Sequence, residues 1–126
     1  MTNTVLIVGA SGLVGTAAAI EFANAGWRVM TASRRFPELL DGQAVEHVTL
    51  DLMDAKACRQ VVSDACADVT HLINTAVFEK PGLIEGWTDP EQIDTNEQML
   101  RNVLEPLREN AKLKHVSLLQ GTKAYG

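Results

Sequence analysis

Val5-Leu6-Ile7-Val8-Gly9-Ala10-Ser11-Gly12-Leu13-Val14-Gly15 is the stretch whose reading decides the fold. Four consecutive apolar residues, three of them β-branched, suit a strand covered on both faces, and the run stops at Gly9. A helical pattern begins at Leu13. Between the two, glycines recur every third position in a G-x-x-G-x-x-G arrangement. Gly9 permits a tight turn, Gly12 lets the backbone approach a pyrophosphate, and Gly15 lets the helix pack against the strand. Free N–H groups around Gly12, Leu13 and Val14 would point at the anion, the helix dipole favours its charge, and Ser11 adds a hydroxyl donor. A glycine triplet alone is weak evidence and fits any tight strand-to-helix turn; the strand before it and the helix after it supply the context a phosphate loop needs.

Working outward, Leu13 to Ala25 has helical spacing through Leu13, Ala17, Ile20 and Asn24, closed by Gly26. Arg28 to Ala32 reads as a second strand. Turn-prone Phe36-Pro37 and Asp41-Gly42 precede a third, Val45 to Leu50. Asp54 is a good N-cap for a helix from Ala55 to Cys66, with Cys58, Val61, Val62 and Ala65 as its apolar face. Val69 to Ile73 is a fourth strand, followed by a loop with Pro81, Gly82, Gly86 and Pro90. The longest periodic stretch carries Ile93, Asn96, Met99, Leu100, Val103, Leu104 and Leu107, and a fifth strand runs from His115 to Leu119. This alternation predicts an α/β fold: a three-layer, doubly wound parallel sheet of about five strands with right-handed crossovers and helices on both faces.

The 126 residues suit one domain, and 46% hydrophobic with only 5% aromatic residues suggests packed aliphatic layers. Eleven Lys and Arg against 16 Asp and Glu leave a net charge of −5, which gives no basic footprint for nucleic acid or an anionic membrane. Cys58 and Cys66 show neither disulfide nor zinc spacing and read as buried thiols, and no metal site is expected. With no charged n-region and no apolar run approaching about 18 residues, a cytoplasmic location is expected.

Sheets of this kind bind ligands beyond the carboxyl ends of their strands, where strand order reverses. After the second strand, where an acidic residue would favour NAD(H), the chain has Ser33-Arg34-Arg35. A hydroxyl and two planar, charged donors suit a 2′-phosphate, so NADP(H) is expected over NAD(H), although one arginine can equally be a solvated surface charge. After the third strand, Asp51 can accept from an adenine amino group while Leu52 lies against the ring; Asp51 can also be only a turn residue before the Asp54 cap. Thr75-Ala76-Val77 places small side chains where a cofactor would cross the sheet, and Gln120 ends the fifth strand on the same side. Small residues are also common in tight turns.

These residues together resemble the extended short-chain dehydrogenase/reductase superfamily across the whole chain: the glycine motif, Asp51-Leu52, the small residues after strand four, and Asn96 with Asn102-Val103-Leu104 in the long helix. Leu100 to Leu104, Leu113 to Leu118, the paired Ser33-Arg34-Arg35 and Gly121-Thr122-Lys123-Ala124-Tyr125-Gly126 look like its progesterone 5β-reductase/iridoid synthase-like (PRISE) branch and bacterial relatives. The resemblance implies an NADPH-dependent reductase of a small-molecule enone or carbonyl. It also implies that Lys123 is the catalytic lysine of a Gly-x-Lys-x-Tyr motif, acting with a tyrosine on the enone oxygen; an ammonium there would stabilise a developing enolate. Tyr125 is not that tyrosine, which in the branch lies beyond the position of Gly126. The sequence departs from the branch at Asn74-Thr75-Ala76-Val77-Phe78, where an aromatic signature is usual. The chain thus looks like the first, adenine-binding half of a longer reductase. A sugar-nucleotide epimerase or dehydratase of the same superfamily and a non-enzymatic NADP-binding sensor are the alternatives.

Of the remaining residues, His47 and His71 lack a second ligand at metal spacing and read as structural or surface histidines. Trp87 suits a pocket wall or a sheet-edge cover. Asn96 reads as structural. Glu97, Arg101, Glu105 and Arg108 form an ordinary charged helix face. The long helix, 91–110, is also where a homodimer would form by the same resemblance.

Overall fold

The computed structural model describes residues 3–10, 12–76 and 90–119. The elements in chain order are β1 (Thr4–Val8), α1 (Leu13–Asn24), β2 (Arg28–Ser33), a 3-10 turn (Glu38–Leu40), β3 (Val45–Thr49), α2 (Ala55–Ala65), β4 (His71–Asn74), α3 (Pro90–Asn110) and β5 (His115–Leu118). All five strands are parallel in the order β3-β2-β1-β4-β5. Strand order therefore reverses at β1, whose carboxyl end is Gly9, and the expected doubly wound sheet is what forms.

β1 is buried at every residue because both faces are covered. Its even-numbered side chains, Leu6 and Val8, join Met30, Ala32, Leu72, Val62 and Leu107 in the core under α2 and α3. Its odd-numbered ones, Val5 and Ile7, meet Val29, Ala19 and Leu40 under α1 and the 3-10 turn. One strand thus supplies two cores, as the period of two requires.

Three helix faces differ from the periodicity reading. In α1 the buried residues are Gly15, Thr16 and Ala19, whereas Leu13 is 82% exposed and Ala17 and Asn24 face solvent. The close approach of α1 to the glycine turn admits only small side chains and rotates the helix, leaving Ile20 half-buried at its flank. In α2 the stripe is Cys58, Val62 and Cys66, with Ala65 exposed. In α3 the face toward the core runs through Gln92, Asn102, Val103, Pro106 and Leu107, while Ile93, one position off that line, is 53% exposed.

Local signals act as expected elsewhere. The Asp54 side chain accepts from the Ala57 N–H at 3.0 Å and caps α2. Arg28 on β2 pairs with Glu46 on β3 at 2.7 Å and reaches Asp68 at 3.3 Å, tying the strand starts together on the surface. Arg101 lies between Glu97 and Glu105 on the outer face of α3, and Arg59 joins α2 to α3 through Glu109 at 2.6 Å. These pairs are exposed, so each contributes at most about 1 kcal/mol and the apolar layers hold the domain. Among the described residues, no helix is long and apolar enough to cross a membrane.

Truncating Leu72, fully buried in the core below α2 and α3, is expected to cost about 2–5 kcal/mol as Leu72→Ala. Asp54→Ala is expected to cost about 1 kcal/mol, the usual loss for a helix cap. Urea unfolding midpoints measure both; equal costs would mean that the core is not packed as described.

Candidate functional site

At the carboxyl end of β1, three elements crowd together. Gly9 has φ +82°, and a Cβ on it would lie 2.5 Å from the Ala76 nitrogen. A Cβ on Gly15 would meet the Gly9 carbonyl oxygen at 2.7 Å and Thr75 Oγ1 at 2.8 Å. The Thr75 hydroxyl occupies that gap, its single proton shared between the carbonyls of Val8 (2.9 Å) and Gly9 (3.0 Å). Thr16 Oγ1 donates to the Ala10 carbonyl at 2.7 Å and pins the first turn of α1 to the same loop.

Gly12 behaves differently. It is the N-cap of α1, with no side-chain cap and no acidic residue in the first turn. The nearest atom to a Cβ built on it is 3.6 Å away, so its outer side is open. The first N–H groups of α1 have no intrahelical acceptor, and a helix start left open in this way is the arrangement that binds anions.

A groove of about 550 Å³ runs from this turn across the carboxyl ends of the strands. It brings together Gly9, Gly12, Ser33, Arg34, Asp51, Leu52, Thr75 and Ala76 of the residues singled out in the sequence. Arg35 instead lines a larger outer depression of about 760 Å³, between α1 and the 3-10 turn, which it shares with Arg34. Gly15 is buried beneath the loop, and Leu13 and Val14 are exposed at the start of α1. Ser11, Val77, Gln120, Lys123, Tyr125 and Trp87 lie outside the described residues.

The groove has a wall that sequence reasoning missed: Thr95 and Met99 of α3, with Leu50 and Met53. Met99 lies in the apolar stripe read as core; it is partly buried against that core and also lines the groove. Nothing in the spacing distinguishes it from its buried neighbours.

Polar contacts shape the loops around the groove. Ser33 Oγ donates to the Arg35 carbonyl, so its proton closes the arginine turn and its lone pairs are what it offers a ligand. Asp51 has both roles available: Oδ1 accepts from the Met53 N–H at 2.9 Å in a turn, while the carboxylate lines the groove. Behind the arginines, the Phe36 ring stands edge-on to His47 at 5.3 Å. His47 Nδ1 lies 2.8 Å from Thr31 Oγ1, and its Nε2 is buried without a partner among the described residues. Burial holds the His47 pKa below its usual value. His71, packed on Trp27 and facing His115, is lowered by burial and then by His115 and Lys114. Both rings pack against neighbouring aromatic side chains. Burial pushes the Cys58 and Cys66 thiols up to about 11, so both stay protonated and unreactive at neutral pH.

A parallel sheet of order 3-2-1-4-5 with a glycine turn leading into α1 defines the class of α/β dinucleotide-binding folds. Residues 5–126 match the model of the NAD dependent epimerase/dehydratase family, and the chain belongs to that family. The chain is 30% identical to the (S)-8-oxocitronellyl enol synthase of Antirrhinum majus and 31% identical to the synthase CYC2 of Camptotheca acuminata, with 98% of this chain aligned in each case. It spans 31% and 32% of those two proteins, about a third of their length. These relatives bear out the iridoid synthase-like resemblance. Among solved structures, UDP-glucose 4-epimerase from Bifidobacterium longum, in complex with NAD+ and UDP, superposes with a TM-score of 0.79 at 22% identity. The superposition covers 98% of this chain and 38% of that one, and it bears out the fold.

Two outcomes are expected from this geometry. Gly9→Ala is strained by its φ and by contact with Ala76 and should cost more than about 3 kcal/mol, whereas Gly12→Ala should stay within about 1 kcal/mol of wild type in urea unfolding. Because the folded-state pKa values of His47 and His71 lie below their unfolded values, the unfolded chain takes up protons first as pH falls. Stability should therefore drop on acidification through about pH 6.5 and below, and His47→Gln should flatten that slope when unfolding midpoints are compared from pH 7.5 to 5.5.

Proposed function

We propose that this chain forms the dinucleotide-binding part of an NADPH-dependent reductase acting on an activated C=C bond (an enone) or a carbonyl of a small molecule. The observation that carries the reading is one groove lined by Gly9 and Gly12, by Arg34 and by Asp51 and Leu52. That layout fits an extended dinucleotide. The N–H groups at the start of α1 would hold the pyrophosphate, and the absence of a Cβ at Gly12 leaves room for it. Arg34 and Arg35 would neutralise a 2′-phosphate by charge-assisted hydrogen bonds, with Ser33 shaping their turn. Asp51 would accept from the adenine amino group while Leu52 and Met99 flank the ring. Thr75 and Ala76 would keep the path across the sheet clear, and Val77 and Gln120 stay as cofactor-binding residues on the strength of the sequence.

When bound, the reduced dinucleotide supplies hydride. In the PRISE-like reading, Lys123 stabilises negative charge on the substrate oxygen together with a tyrosine. The family match and the likeness to UDP-glucose 4-epimerase support a second reading, a sugar-nucleotide epimerase or dehydratase that uses the same binding half.

Calorimetric titration with NADP+ and NAD+ tests the cofactor assignment. NADP+ should bind more tightly, and Arg34→Ala should weaken it about 10- to 100-fold while leaving NAD+ within about twofold. No binding of either dinucleotide, or NAD+ as the tighter ligand with Arg34→Ala harmless, overturns it.

A further inference from the structure

Two walls of the groove are joined by one buried hydrogen bond. After β3 the chain turns through Asp51, Leu52 and Met53, all of which line the groove. The Leu52 carbonyl, turned inward, accepts from Asn102 Nδ2 at 2.7 Å. Asn102 is 6% exposed and belongs to α3, the helix that presents Thr95 and Met99 to the same groove. One helical turn earlier, Gln98 Nε2 donates to Asn102 Oδ1 at 2.6 Å. With its oxygen thus occupied, the Asn102 amide must turn its NH2 end toward Leu52. Cys58 Sγ, 3.9 Å from the same carbonyl, is a weak and distant donor that could not replace the amide.

The bond therefore links the backbone of the turn that carries Asp51 to the helix that carries Met99. The turn's other hydrogen bonds among the described residues come from its own stretch and from α2: the Met53 N–H on Asp51 Oδ1, the Asp54 N–H on the Asp51 carbonyl at 3.0 Å and the Cys58 thiol on the same carbonyl at 3.6 Å. Leu52 also packs with Val103 and Leu107 of α3, but that apolar contact has no direction, and the amide is what fixes the backbone of the turn against the helix. A planar ring inserted between Leu52 and Met99 needs that spacing held before it arrives, because ordering a loop on binding subtracts from affinity.

We propose that Asn102 is a positioning residue for the adenine half of the ligand: through the Leu52 carbonyl it holds the Asp51–Met53 turn against α3, so that the groove is preformed for an adenine ring. The proposal rests on the dinucleotide reading given above. Asn102 touches no ligand in it; the amide acts through the backbone of Leu52, and Gln98 orients the amide.

The full chain and its Asn102→Ala and Asn102→Asp variants can be titrated with NADP+, with 2′,5′-ADP and with inorganic pyrophosphate, under conditions where circular dichroism shows each to be folded. Asn102→Ala should weaken NADP+ and 2′,5′-ADP by a common factor of about 5 to 10, since both carry the adenine. Pyrophosphate, which needs only the glycine turn, should change by less than about twofold, whereas a general loosening of the domain would weaken all three. In Asn102→Asp a protonated carboxyl can still donate to Leu52 and an ionised one cannot. Its affinity relative to wild type should therefore fall as pH rises, a trend that mere loss of packing would not produce. If Asn102→Ala does not fold, Gln98→Leu decides the matter: it leaves the amide free to rotate and should weaken 2′,5′-ADP about threefold. Wild-type binding of NADP+ and 2′,5′-ADP with unchanged affinities in the variants overturns the proposal alone. A wild-type chain that binds neither ligand overturns the dinucleotide reading and this proposal together.

Discussion

Everything at the carboxyl edge of the sheet depends on the contact between the Gly9 backbone and the end of β4. With φ at +82° and Ala76 where a side chain would begin, Gly9 lets β1 turn sharply into α1 without pushing β4 away. The Thr75 hydroxyl completes the junction by filling the space that Gly15 leaves and bonding the Val8 and Gly9 carbonyls. Because β1 is the strand at which sheet order reverses, this junction also opens the crevice on either side of it. Fold and site are therefore one constraint: a side chain at Gly9 would disturb the packing of α1, the register of β4 and the floor of the groove at once.

From that junction the groove is extended by loops, each held by a different device. The arginine loop is closed by Ser33 on the Arg35 carbonyl and backed by the Phe36 ring on His47. The turn after β3 is braced by Asp51 within itself and by Asn102 from α3. Side chains that bond the backbone, Ser33 and Asn102 on carbonyls and Asp51 on an N–H, perform these tasks, while the exposed ion pairs at Arg28 and Arg101 lie on the outer surface. Loops positioned by a rigid sheet in this way can carry binding groups without weakening the core.

The sheet was legible because its signals are local and strong. β1 is an unbroken apolar run before a glycine, Asp54 caps a helix with its own side chain, and each strand alternates with a helical segment. The glycine turn and the residues after β1, β2, β3 and β4 were legible for the same reason, since an α/β sheet puts its ligand at strand ends. Helix faces were less so. Leu13 and Ile93 fit an apolar period, yet both face solvent: close approach at the glycine turn selects small residues in α1, and the buried line of α3 passes through Gln92, one position from Ile93. Met99 showed no functional signal and Asn102 entered only as part of the family resemblance with no role attached, since an apolar or polar residue on a helix looks the same whether it meets a core, a groove or a distant carbonyl.

By itself the sequence determined the strand order of signals, the doubly wound class and the candidate phosphate turn, because these follow from backbone freedom at glycine and from hydrophobic period. Only the tertiary structure decided that Arg34 and not Arg35 lines the groove and that the Ser33 proton belongs to the arginine turn. It also decided that a buried amide 50 residues away secures the Leu52 carbonyl. Those outcomes depend on distances between segments far apart in the chain, and such distances are set by how helices of particular side-chain volume settle on the sheet.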